Sequence, residues 1–110
     1  MRTIAMSAAA AGLLRALLAR AAVERDRILL TELRSTDWQS LTFIGERHWI
    51  QLRVSGPDAV DVAHRIATGI EDAEFRIAGH IVADILVAGP PRRDRDGSIL
   101  VELEALTIVE

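Results

Sequence analysis

The chain has 110 residues, of which half are hydrophobic, and its formal net charge is −3. This length and composition predict one folded domain over residues 1–110 and exclude an intrinsically disordered chain. With no cysteine in the sequence, disulfides and thiolate metal sites are excluded, and the acidic balance gives no reason to expect nucleic acid as a partner. All 13 basic residues are arginine, a usage typical of a GC-rich bacterial genome, and we expect a cytoplasmic protein.

Residues 1–23 have the spacing of an amphipathic helix, with Ser7 as the expected N-cap. Arg15 and Arg20 interrupt the apolar run, which argues against a secretory signal and against a membrane span. The helix is predicted either to pack on the core of its own domain or to bind a partner protein. Its apolar stripe consists of Leu13, Leu14, Leu17 and Leu18.

After Val23 the hydrophobic period changes from helical to alternating, which predicts strands between residues 27 and 56. Gly45 to Arg47 is interpreted as the turn of a hairpin, because glycine tolerates the positive φ that tight turns require. Trp38 is predicted to fill the core at the start of a strand.

Helical spacing returns over residues 58–70, directly after Pro57, and predicts a second amphipathic helix. A long strand is expected from Glu74 to Val87, with a bulge or bend at Gly79. Residues 89–98 are rich in proline, glycine and paired charges and predict a solvated hairpin loop, which leads into a last strand over residues 99–109.

The predicted order is α-β-β-α-β-β, which defines an α+β fold. The same order arises when the first strand of a ferredoxin-like domain is moved to its end, giving a circularly permuted arrangement. We therefore expect an antiparallel sheet of four or five strands with two helices on one face. The opposite face of the sheet would then be open.

Strict alternation along residues 74–87 places His80 and Asp84 on this open face. Other side chains expected there fall into an apolar group and a polar group. The apolar group is Ile44, Trp49, Val82, Leu86, Leu100, Leu106 and Ile108, and the polar group is Gln51, Arg53, Glu102 and Glu104.

His80 and Asp84 lie ~13–14 Å apart on an extended strand, too far for a direct catalytic dyad. His80 would need a carboxylate from a neighbouring strand, and the candidates are Glu102 and Glu104. Possible ligand contacts on the same face are Trp49, Arg53 and Asp84. His48 and His64 are expected to be structural or exposed, the histidine spacing does not predict a metal site, and no cofactor motif is present.

These patterns lead to two hypotheses from different classes. In the first, the chain is a non-enzymatic accessory or regulatory protein that forms a homodimer through Val82, Leu86, Leu100 and Leu106. In the second, it binds or transforms a small molecule without a cofactor, at a site around His80 on the open face or in a dimer cavity. The sequence does not decide whether the protein is an enzyme.

Overall fold

The computed structural model describes residues 5–110, so the first four residues of the predicted N-terminal helix lie outside the described part. Its regular elements, in chain order, are two α-helices and five strands. They are α1 (Ala8–Ala21), β1 (Ile28–Gln39), β2 (Ile44–Val54), α2 (Ala59–Ala67), β3 (His80–Val87), β4 (Arg92–Arg93) and β5 (Ile99–Val109). The class is α+β, as predicted.

The strands form one antiparallel sheet in the order β1-β2-β5-β3, and the two-residue β4 pairs with the start of β5, on the same side of β5 as β3. The last strand of the chain therefore lies between β2 and β3. This order and the position of both helices on one face are compatible with the predicted circularly permuted arrangement. We call the helix-bearing side of the sheet the covered face and the other side the open face.

The hydrophobic core lies between the covered face and the two helices. Helix α1 contributes Leu13 and Leu17, α2 contributes Val62 and Ile66, and each of these side chains is fully buried. The sheet contributes apolar residues at alternate positions, including Ile50, Leu52, Val54, Val101 and Leu103. Removing these side chains from water is the main favourable term in folding.

Helix α1 is an element of this core. Ser7 caps it as predicted, and its Oγ accepts a hydrogen bond from the backbone N–H of Ala10 at 3.1 Å. Leu14 and Leu18 are half-buried against the same core. A partner could therefore reach the predicted leucine stripe only at its edge.

The ends of the two helices are joined by arginine side chains. Nε of Arg20 donates to the carbonyl of Ile66 at 3.0 Å, and Nε of Arg65 donates to the carbonyl of Ala21 at 3.1 Å. Arg65 thus binds the C-terminal end of α1, where carbonyl groups lack helical partners. Among the described residues, Arg65 forms no ion pair with Asp61, which lies one helical turn before it.

The predicted turn at Gly45 to Arg47 is wrong, because these residues lie within β2. The chain turns earlier, where the N–H of Ser40 donates to the carbonyl of Phe43 at 2.9 Å. Gly45 is required for close strand approach, since a Cβ there would collide with the carbonyl oxygen of Thr107 on β5. Trp38 consequently falls near the end of β1 on the open face, half-buried, and does not fill the core.

The predicted strand over residues 74–87 begins only at His80. A tight turn precedes it, with Gly79 at φ 75° and the N–H of His80 donating to the carbonyl of Ile77. The bulge is at Ala83, where the register with β5 shifts between Val82 and Asp84. One extra residue reverses the face of every side chain before it, so His80 and Val82 belong to the covered face.

Candidate functional site

The open face divides into two halves that differ in how their charges are paired. The polar half lies beside β4 and consists of Glu32, Gln51, Arg53, Arg92, Asp94 and Glu102. The apolar half lies toward the β1–β2 turn and contains the apolar residues Trp38, Trp49, Ile81, Leu86, Leu106 and Ile108 together with the charged residues Arg34, Arg47, Asp84 and Glu104. Leu100 lies in the polar half, between Arg53 and Arg92.

Charges in the polar half are paired within the chain. Nε2 of Gln51 donates to Oε1 of Glu102 at 3.0 Å, and the Arg92 guanidinium donates to the same oxygen at 2.6 Å. Arg53 forms an ion pair with Asp94 at 3.1 Å. Nε of Arg53 is buried without a hydrogen-bond partner among the described residues. This half is therefore largely satisfied by its own contacts.

The apolar half is organised in cross-strand rows centred on β5. Trp49 and Leu86 both register with Glu104, one from β2 and the other from β3. Gly45 and Ile81 flank Ile108 in the same way. These apolar side chains stay partly or largely accessible, because both helices pack on the other side of the sheet.

Three charged side chains of the apolar half remain unpaired. Arg47, Asp84 and Glu104 are exposed and form no ion pair within residues 5–110. Arg47 and Asp84 both register with Leu106, so they flank one apolar side chain from opposite sides. The guanidinium of Arg34 lies 5.6 Å from the ring centroid of Trp49. Protein interfaces commonly have an apolar centre enriched in aromatic residues and arginine, with a polar rim, and this half supplies side chains of those kinds.

His48 forms a buried polar network on the covered face. Its Nδ1 is hydrogen-bonded to Oγ of Ser35 and its Nε2 to Oγ1 of Thr107, each at 2.8 Å, and His48 is 2% exposed. Burial lowers the pKa of His48, and the nearby carboxylate of Glu46 offsets this effect only in part. A neutral imidazole with one donating and one accepting nitrogen satisfies both hydroxyls. The sequence carried no sign of this network, because it depends on which strand lies beside β2.

His80 lines an open cleft of about 420 Å³ at the start of β3. Phe75 and Ile77 contribute apolar walls, and Arg76 and Glu110 contribute charged side chains. Nδ1 of His80 lies 3.0 Å from the carbonyl of Ala78. His80 registers with Val109 on the covered face, whereas Glu102 and Glu104, the carboxylates predicted to assist it, lie on the open face.

The structure thus separates two groups that the sequence had placed together. One group lies on the open face as predicted: Trp49, Arg53, Asp84, Leu86, Leu100, Glu102, Glu104 and Leu106. The other group was predicted there but belongs to the covered face: Ile44, His80 and Val82. His64 is exposed on α2. Among residues 5–110, no three carboxylate or imidazole side chains converge on a position that could hold a metal ion.

The helices described here are too short or too polar to cross a membrane. Comparison with known proteins gives no relative: no family model, curated protein or solved structure matches this chain.

Proposed function

We propose that the protein is a small homodimer of the bacterial cytoplasm that self-associates through the apolar half of its open face and serves an accessory or regulatory role. The observation that carries this proposal is the set of accessible apolar side chains in that half, interspersed with charges that lack partners. Large exposed apolar patches on water-soluble domains commonly mark interaction sites.

The distribution of histidines also favours interaction over catalysis at this face. His48 and His80 belong to the covered face and His64 lies on α2, so none of the three histidines in the chain reaches the open face. Histidine is the side chain whose ordinary pKa suits proton transfer near neutral pH. Without it, the open face offers carboxylates and guanidinium groups, which are well suited to setting the orientation of a partner.

The proposal is tested by light scattering over a range of protein concentrations. Wild type should have twice the mass of one chain at high concentration, and Leu106→Arg should have the mass of one chain, because a long charged side chain would replace an apolar contact in the interface. The matched control is Val60→Arg, at an exposed apolar position on α2, which should remain a dimer. Circular dichroism should show all three proteins folded.

Two results would contradict the proposal. One is a wild type with the mass of a single chain at every concentration. The other is a dimer that Leu106→Arg leaves intact, which would place the interface elsewhere.

The cleft at His80 supports a second candidate function, the binding of a small molecule. Its apolar walls and its imidazole are the combination that ligand sites commonly use. A screen of small organic molecules by NMR should give hits whose shifts map to Ile77 and His80 and disappear in His80→Ala. Hits that map elsewhere, or that survive this substitution, would remove the candidate.

A further inference from the structure

We infer that two copies of the chain pack sheet to sheet about a two-fold axis that runs along β5, so that Arg47 of each copy pairs with the partner's Asp84. This orientation rests on the proposed function and goes further, because it specifies how the second copy is placed. It follows from the positions of the charges that the isolated chain leaves unpaired.

The register of the sheet puts the two charges at equivalent positions on either side of Leu106. Arg47 pairs with Leu106 from β2, and Asp84 pairs with it from β3. Adjacent strands lie about 4.8 Å apart, so the Arg47 and Asp84 backbones are about 10 Å apart with β5 midway. Leu106 lies between them on β5, and the two form no ion pair within residues 5–110 of one chain.

Symmetry then decides between two face-to-face arrangements. A two-fold axis along β5 exchanges the two sides of the sheet and keeps each position along the strand, which brings Arg47 over the partner's Asp84 and Asp84 over the partner's Arg47. An axis across the strands through Leu106 would place Arg47 over the partner's Arg47 and Asp84 over the partner's Asp84. Opposing like charges disfavour that second arrangement.

The apolar rows fit the same axis. Trp49 and Leu86 flank Glu104 just as Arg47 and Asp84 flank Leu106, so Leu86 of each copy would lie over the partner's Trp49. Ile81 would lie over the partner's Gly45, which has no side chain to oppose it. Two sheets related in this way keep their strands nearly aligned, as face-packed sheets generally do.

The same axis creates one repulsive contact whose effect on dimer stability can be measured. Glu104 lies on β5, so its carboxylate would face the partner's Glu104 across the axis. Glu104→Gln removes this repulsion and should lower the dissociation constant of the dimer. An unchanged or raised constant would argue against an axis at this strand.

The decisive experiment exchanges the two charges. Arg47→Asp and Asp84→Arg should each raise the dissociation constant by at least about tenfold, because each creates two like-charged pairs across the interface. The double variant carrying both substitutions should dimerise again with nearly the wild-type constant. Both positions are exposed, so the fold should survive, and Arg47→Gln and Asp84→Asn provide milder variants that should also weaken the dimer.

The outcomes separate the orientation from the proposed function. If the single variants dimerise like wild type while Leu106→Arg does not, the orientation is wrong and the interface stands. If the single variants weaken the dimer and the double variant does not restore it, the orientation is again wrong. A monomeric wild type would overturn both.

Discussion

The two faces of this sheet differ in how deeply their apolar side chains are buried, and β5 contributes side chains to both faces. On the covered face, Val101 and Leu103 are fully buried among the helices. On the open face, Leu106 and Ile108 remain half-buried beside free charges. Apolar character alone therefore does not assign a residue to the core, because neighbouring positions of one strand point to opposite sides.

The largest expected effect is on the free energy of unfolding, and it should differ between the two faces of β5. Leu103→Ala removes a fully buried side chain and should lower the free energy of unfolding by about 2–5 kcal/mol. Leu106→Ala, the matched substitution on the open face, should cost the single chain less than about 1 kcal/mol, since surface changes have small effects. Chemical denaturation at dilutions that favour the single chain measures both values. Equal losses would mean that some element covers the open face.

Gly45→Ala tests how closely β2 approaches β5. The added Cβ collides with the carbonyl oxygen of Thr107, a backbone atom that moves only if the strands separate. We expect a loss of about 1–3 kcal/mol in the free energy of unfolding, typical of overpacking. Gly97→Ala is the contrasting substitution, because its added Cβ meets no atom within 4 Å. Any loss in the free energy of unfolding there should come only from the positive φ of that residue. Tolerance of Gly45→Ala would argue against the register between these strands.

The pH dependence of stability tests the covered face separately, because the buried hydrogen-bond network of His48 lies on that face alone. Its pKa is lowered in the folded chain, so the unfolded chain takes up the proton first as pH falls below about 6.5. Stability should be fully present above that pH and decline below it, by at most about 1.4 kcal/mol for each pH unit. Thermal or urea unfolding across pH 5 to 8, a range suited to histidine, measures this decline.

The control for His48 is a pair of variants. In His48→Gln the decline near pH 6 should flatten, whereas His64→Gln, on the exposed side of α2, should keep it. A profile that is the same in wild type and His48→Gln would show that the buried imidazole does not govern it.

The smallest effect is expected in the polar half of the open face. Arg92→Gln removes an accessible ion pair with Glu102 and should change the free energy of unfolding by less than about 1 kcal/mol. Both Arg53 and Arg92 register with Leu100, so the axis along β5 would set Arg92 over the partner's Arg53 if the interface reached the polar half. An interface confined to the apolar half leaves the dissociation constant as in wild type, whereas a lowered constant would extend the interface into the polar half.

Much of the fold was predictable from local patterns, and the errors have identifiable physical causes. The order of helices and strands and the cap at Ser7 follow from periodicity and capping chemistry. Gly45 was misassigned to a turn because the crowding that requires glycine there comes from Thr107, which is remote in sequence. His80 was assigned to the wrong face because a bulge at Ala83 leaves no clear mark in the sequence, yet reverses the alternation before it.

The candidate site was predicted in part for the same reasons. Leu86, Leu106 and Trp49 follow simple alternation and were placed on the open face. The positions of Arg47 and Asp84 around Leu106 depend on the order of strands across the sheet. Periodicity within one strand contains no such information.

Tryptophan fluorescence during dilution tests the central claim most directly, because both tryptophans of the chain, Trp38 and Trp49, lie on the open face. If the dimer forms through this face, dilution should shift the emission to longer wavelength as the rings become hydrated. The midpoint should match the concentration at which light scattering records the fall in mass. A fall in mass without any change in emission would place the interface elsewhere and contradict the account.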